Sequence, residues 1–267
     1  MATSVNRLQT VQIDPRTTFG LRELARIRAD RLMIALLLIV TSATGAIDAV
    51  SILHFQAFTA FVTGTVVLLG AEMVGQAHAG VAKPIVLVAF FVGAILGGRL
   101  MRRRKPTERL FAESLCITAA LILAVALIIA ALGVESLPLR WTTIALVAFA
   151  MGSQTSATRQ ANVPDMVLPQ LVTLVVHGLA HDSRLAGGRG ERSLRRRGIV
   201  LALLSGAAGG ATLSAYAAWP GLLLAAALLA LAGTLGLRTT TESAPPERAG
   251  SFPTARNTST LRAASSR

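Results

Sequence analysis

Long apolar stretches separated by short charged ones set the pattern of the chain. Residues 32–71 carry one charge, Asp48, and uncharged runs follow at 84–98, 114–134, 141–158, 166–181 and 198–237, the last divided by Trp219, Pro220 and Gly221. A helix rises 1.5 Å per residue, so about 20 apolar residues cross a hydrocarbon core of about 30 Å. The pattern predicts a first span over 32–53, further spans at 84–98, 114–134 and 141–158, and a helical hairpin over 198–237. Two stretches are ambiguous: 55–74, which contains Thr63, Gly64 and Thr65, and 166–181, which is short and contains Pro169. Each either crosses the bilayer or dips into it and returns.

Charge distinguishes these alternatives, because Lys and Arg concentrate in the short cytoplasmic loops of membrane proteins. With both ambiguous stretches re-entrant, six spans remain, and 24 of the 26 basic residues fall in 1–31, 99–109, 158–197 and 238–267, leaving only Lys83 and Arg140 on the other side. With both stretches spanning, the division weakens to 19 against 7. The expected architecture is therefore all-α: a polytopic integral membrane helical bundle of about six spanning helices and two short broken or re-entrant segments, with both termini cytoplasmic. The polar residues 1–31 form a basic N-terminal segment with no cleavable signal, 32–237 one membrane domain, and 238–267 a disordered tail too poor in apolar surface to offset its ordering entropy.

Composition agrees. The chain has 53% hydrophobic residues, 15% charged, 4% aromatic and a mean hydropathy of +0.61, which suits membrane helices rather than a barrel with aromatic girdles. The net charge of +13 points to anionic headgroups and not to nucleic acid, since blocks such as Arg102–Lys105 and Arg195–Arg197 sit at the ends of spans. Cys116 is the only cysteine, and His177 and His181 are four apart without an HExxH frame, so no metal site or cofactor is expected.

Read as halves, 32–134 and 141–237 each give a span, a short polar-interrupted segment and two more spans. Letter identity between them is slight, but six spans start the halves from opposite sides, which makes them a pseudo-symmetric inverted repeat. The same stretches carry a family resemblance. Gly45, Asp48 and Ala49, then Phe58, Ala60, Thr63 and Gly64, resemble the G-x-x-D-A and F-x-A-x-x-T-G-N signature of the YoaK family (domain of unknown function 1275), bacterial polytopic membrane proteins; Thr65 replaces the Asn. Met151, Gly152, Gln154, Ala157 and Arg159 resemble its M-G-x-Q-N-A-x-x-R, with Thr155 for Asn, and Gly178–Ala180 with Asp182–Gly188 resemble a third stretch. The resemblance covers about residues 32–237 and implies a membrane bundle in the bacterial inner membrane. It brings no established activity.

The candidate functional groups are polar residues inside apolar runs. Asp48 is an ionisable group at membrane depth, costly unless it faces protein, water or a partner; it serves either a solute path or as a cap on the next segment. Thr63, Gly64 and Thr65 suit an irregular backbone giving way to a helix, with Thr63 as N-cap and the positive helix end directed into the protein. Gln154, with Thr155 beside it, is an amide that needs partners, as helix glue or ligand group. Thr173 and His177 share a face one turn apart. Together they suggest a small-solute permease or carrier with its polar path between the inverted repeats. The alternative is a non-transporting scaffold or regulator that binds anionic lipid or a cytoplasmic partner. No nucleophile and base pair or phosphate loop suggests an enzyme. The expected partners are the lipid bilayer and an unknown small solute.

Overall fold

A computed structural model describes residues 15–75, 80–103, 108–134, 136–160, 172–188 and 193–242. The described residues form eight α-helices and no strand: α1 (Pro15–Phe55), α2 (Val62–Met73), α3 (Ala82–Arg103), α4 (Glu108–Leu132), α5 (Leu137–Gln160), α6 (Val172–His181), α7 (Ser193–Leu213) and α8 (Ala218–Glu242). Six are long and two, α2 and α6, are short. Proline stands in the first turn of four of the long helices, as Pro15, Pro84, Pro138 and Pro220. There its missing N–H has no intrahelical partner to lose and its fixed φ suits a helix start.

Arg31–Phe55, Ala82–Arg103, Arg109–Leu132 and Ala218–Thr239 are long and apolar enough to cross a membrane. The protein is a membrane-embedded helical bundle. On α3 the large residues Val88, Phe91, Val92, Ile95, Leu96 and Leu100 are exposed while Gly93 and Gly97 are buried. That is the reverse of a water-soluble surface and suits lipid outside with close helix contact inside. The helices at both ends of the membrane domain run past the limits of 32 and 237 read in the sequence. α1 begins at Pro15, because the helix formers of 21–31 continue the first span without a break, and α8 runs on to Glu242. The tail beyond 242, the residues before 15, and Pro169 with the rest of 161–171 lie outside the described residues.

Glycines fix the packing and reveal the repeat. A Cβ on Gly210 of α7 would stand 2.6 Å from Ala46 Cα on α1, and one on Gly97 of α3 2.8 Å from Ser153 Cα on α5. Gly206 likewise abuts the Ser42 backbone and Gly93 that of Phe149, while Gly45 lies against Leu203 and Ala207 as Gly152 lies against Phe90 and Ala94. The two interfaces, α1 with α7 and α5 with α3, are thus the same interface built twice. The other pairings obey the same exchange of halves: α1 with α8 answers α4 with α5, α2 with α3 answers α6 with α7, and α4 meets α8.

These contacts also give the directions. Residue numbers rise together across both glycine interfaces, so α1 is parallel to α7 and α3 to α5. Gly233 meets Cys116 and Gly236 meets Ala112, so α8 is antiparallel to α4. The short connections after Leu132 and Leu213 reverse α4 into α5 and α7 into α8. The six long helices therefore alternate, the corresponding helices of the two halves run oppositely, and α1 starts at the end of the bundle where α8 finishes. α1 ends where α3 begins, with Phe55 packed beside Ala82 and Val86. The short helix α2 leaves from and returns to one end of the bundle, and α6 does so at the other.

Candidate functional site

The first break in the helical pattern is built around Asp48. α1 closes at Phe55; the Gln56 N–H donates to the Ile52 carbonyl at 3.2 Å, and Gln56 takes the left-handed conformation at φ 57°. This arrangement ends helices at a cost of about 1–2 kcal/mol for a residue other than glycine. The chain then doubles back along α1. Asp48 lies about 10 Å below Phe55 along the helix axis, and its Oδ1 accepts the N–H groups of Thr59 and Ala60 at 2.9 and 2.8 Å while its Oδ2 accepts that of Phe61 at 2.9 Å. The Ser51 and Thr59 hydroxyls, 3.0 Å apart, tie the same strand of chain to α1.

This geometry revises the reading of the Thr63–Thr65 turn. α2 begins at Val62, and Phe61 at its N-cap has no side-chain cap of its own. The cap comes from Asp48 across the break, not from Thr63, which is exposed. Thr65 is buried and closes the turn: its hydroxyl donates to the Phe58 carbonyl at 2.7 Å and accepts the Phe58 N–H at 2.9 Å. Gly64 lies under the rings of Phe58 and Phe61, where a Cβ would come within 2.9 Å of both. The freed amides that would welcome an anionic solute are already filled by the protein's own carboxylate.

Asp48 also lines a cleft of about 420 Å³ with Thr44, Phe61, Val172, Thr173, Val176 and Leu203. Asp48 and Thr173 thereby meet at one cleft, one from each half. The walls are otherwise aliphatic and aromatic. Thr44 donates its proton to the Val40 carbonyl at 2.9 Å, so it offers the cleft only acceptor lone pairs.

The remaining candidates stand elsewhere. Gln154 is buried on α5, and its Oε1 has no hydrogen-bond partner among the described residues. Thr155 donates to the Met151 carbonyl at 2.8 Å on its own helix. His177 is exposed on α6, its ring 5.6 Å from that of His181. The eight residues do not assemble into one continuous lining.

Two ion pairs escaped the sequence reading. Lys83 at the start of α3 binds Glu72 at the end of α2, both side chains buried. Arg196 at the start of α7 binds Asp182 just beyond α6 and donates to the Gly178 carbonyl at 2.7 Å. Arg196, with His181, holds the Asp182 carboxyl below the usual aspartate range. Lys83 precedes Gly93 by the ten residues that separate Arg196 from Gly206, so the pairs are counterparts, one at each end of the bundle. In the same register Asp48 follows Gly45 as Thr155 follows Gly152. The carboxylate clasp of the first half therefore has a threonine as its counterpart in the second.

A helical membrane bundle of two oppositely directed repeats, each with a short helix that turns back, is the class this fold defines. Residues 36–235 match the model of a family described as protein of unknown function (DUF1275), and the chain belongs to that family. No curated protein and no solved structure matches the chain.

Proposed function

We propose that the protein is a small-solute permease or carrier whose path runs between the two repeats. The observation that carries this reading is the cleft in which Asp48 of the first half faces Thr173 of the second. Opposite-facing broken segments around a sparse set of polar groups are how inverted-repeat transporters build their sites. With the amides of Thr59, Ala60 and Phe61 occupied by Asp48, the cleft presents acceptors within apolar walls, which favours a small solute bearing hydrogen-bond donors or positive charge. The cleft's polar groups hold backbone and offer acceptors, which suits a carrier and not an enzyme.

The setting follows from charge and direction. All six long helices cross, α5 and α7 included, because they pack along α3 and α1 through glycine contacts of the same register. The end where α1 starts and α8 finishes, which carries Arg102, Arg103 and Arg195–Arg197, is the cytoplasmic one in a bacterial inner membrane.

Flux of small amines, alcohols and inorganic cations into proteoliposomes tests the proposal. Thr173→Val is expected to cut flux at least about tenfold for a solute bonded in the cleft, the loss of a bond worth about 1.5 kcal/mol. Asp48→Asn abolishes it. Unchanged flux in Thr173→Val and Asp48→Asn, both still folded, removes the cleft from the mechanism. A second reading, a non-transporting scaffold or regulator, is favoured by the engagement of both Asp48 oxygens with the chain's own amides. It requires Asp48→Asn to change stability alone and neutralisation of Arg195–Arg197 to impair function.

A further inference from the structure

At the end of the bundle where α1, α4 and α7 finish, a vestibule of about 440 Å³ opens between the helix termini, and His54, Arg140, Tyr216, Ala217 and Trp219 line it. Arg140 sits in the first turn of α5. Its Nη2 donates to the His54 carbonyl at 2.7 Å, and its Cζ lies 5.9 Å from the centroid of the Phe55 ring and 5.8 Å from that of Trp141. Its Nε is buried without an acceptor, and among the described residues no carboxylate lines the vestibule or pairs with the guanidinium. The His54 ring is fixed as well: Nε2 is 2.8 Å from the Ser214 carbonyl oxygen, which has no proton to give, so Nε2 carries the hydrogen. α8 starts on the same wall at Ala218 and adds the positive end of a 25-residue helix.

The cation is thus held in place, partly out of water, beside the Phe55 and Trp141 rings and, among the described residues, without a counter-ion. A guanidinium so placed favours a planar or tetrahedral oxyanion, which accepts from several of its N–H groups at once. Lys83 and Arg140 are the only basic residues outside the four arginine-rich segments, and Lys83 is spent on Glu72.

We propose that Arg140 and its vestibule form a binding site for an oxyanion, the carboxylate or phosphate group of a small solute or of a lipid headgroup reaching this end of the bundle. The site is separate from the Asp48 cleft and stands whether or not the protein transports.

Thermal unfolding of the full chain tests it, in detergent with inorganic phosphate or acetate at constant ionic strength, and in nanodiscs of phosphatidylglycerol or phosphatidylcholine. A saturable rise in Tm with phosphate or acetate identifies a free anion as the source; a rise with phosphatidylglycerol alone identifies a headgroup. Arg140→Gln, which loses one charge-assisted hydrogen bond, and Ala217→Asp, which places a carboxylate in the vestibule to repel the anion and compete for the guanidinium, each raise the half-saturating concentration about tenfold or more. Arg109→Gln, on the opposite end of α4 and paired with Glu113, leaves it unchanged. If Arg140→Gln does not fold, Ala217→Asp carries the comparison. No saturable response to any of the probes overturns the site, as does a response retained in both vestibule variants. A response that appears only in Glu135→Gln also overturns it, by making an internal acid the natural partner of Arg140.

Discussion

Lys83 and Glu72 bury both charges, with side chains 5–6% exposed. Removing one partner of such a pair leaves the other desolvated and unpaired, at a cost of about 3–5 kcal/mol, whereas replacing both by apolar residues of similar size is near neutral. Lys83→Met is therefore expected to lower Tm steeply and Lys83→Met with Glu72→Leu to restore most of it, measured by unfolding in detergent. If the double variant is no better than the single one, the pair does not carry the α2 to α3 contact. Asp48 was legible in the sequence as an isolated charge in an apolar run, and capping of the next segment was one of its two readings. Its partners were not legible, because the amides of Thr59, Ala60 and Phe61 reach it only after the chain reverses at Gln56. Thr63 was over-read because a threonine followed by an apolar run is a good N-cap locally, yet α2 starts at Val62, with Phe61 at the cap position, and so places Thr63 inside its first turn.

At the scale of helices, small residues decide which pairs form. Helix backbones that touch at Gly93, Gly97, Gly206 and Gly210 leave no space for a side chain, so even one methyl forces them apart. Gly93→Ala and Gly206→Ala are each expected to cost about 1–3 kcal/mol from overpacking and to broaden the gel-filtration peak in detergent. Gly70→Ala, where a Cβ meets nothing within 4 Å, should be neutral or mildly stabilising. Equal tolerance at all three positions would dismiss the glycine interfaces. The existence of the long helices was plain from apolar length. Their partners were not, since glycine spacing alone does not say which helix faces it. Only the contacts of Gly45, Gly206 and Gly210 beside those of Gly152, Gly93 and Gly97 turned a weak likeness between halves into a shared register.

For the whole molecule, alternation of the six long helices makes a topological prediction. In a Cys116→Ser background, single cysteines at Ser136 and Tyr216 should react with a membrane-impermeant thiol reagent added outside intact cells. Those at Arg103 and Arg238 should react only after the membrane is opened. Outside labelling at Arg103 would reverse the assignment of the ends and move the Arg140 vestibule to the cytoplasm. Hydropathy and the positions of Lys and Arg determined from sequence alone that the chain is a helical membrane protein with two interrupted segments, because the bilayer imposes span length and charge bias locally along the chain. Tertiary structure decided that those segments belong to opposite ends, that Asp48 clasps the first of them, and that Arg140 faces a cavity in which, among the described residues, no counter-ion meets it. Each of these depends on groups distant in sequence brought within hydrogen-bonding reach by close-packed backbones, and that information resides in the pairing of helices, not in any one of them.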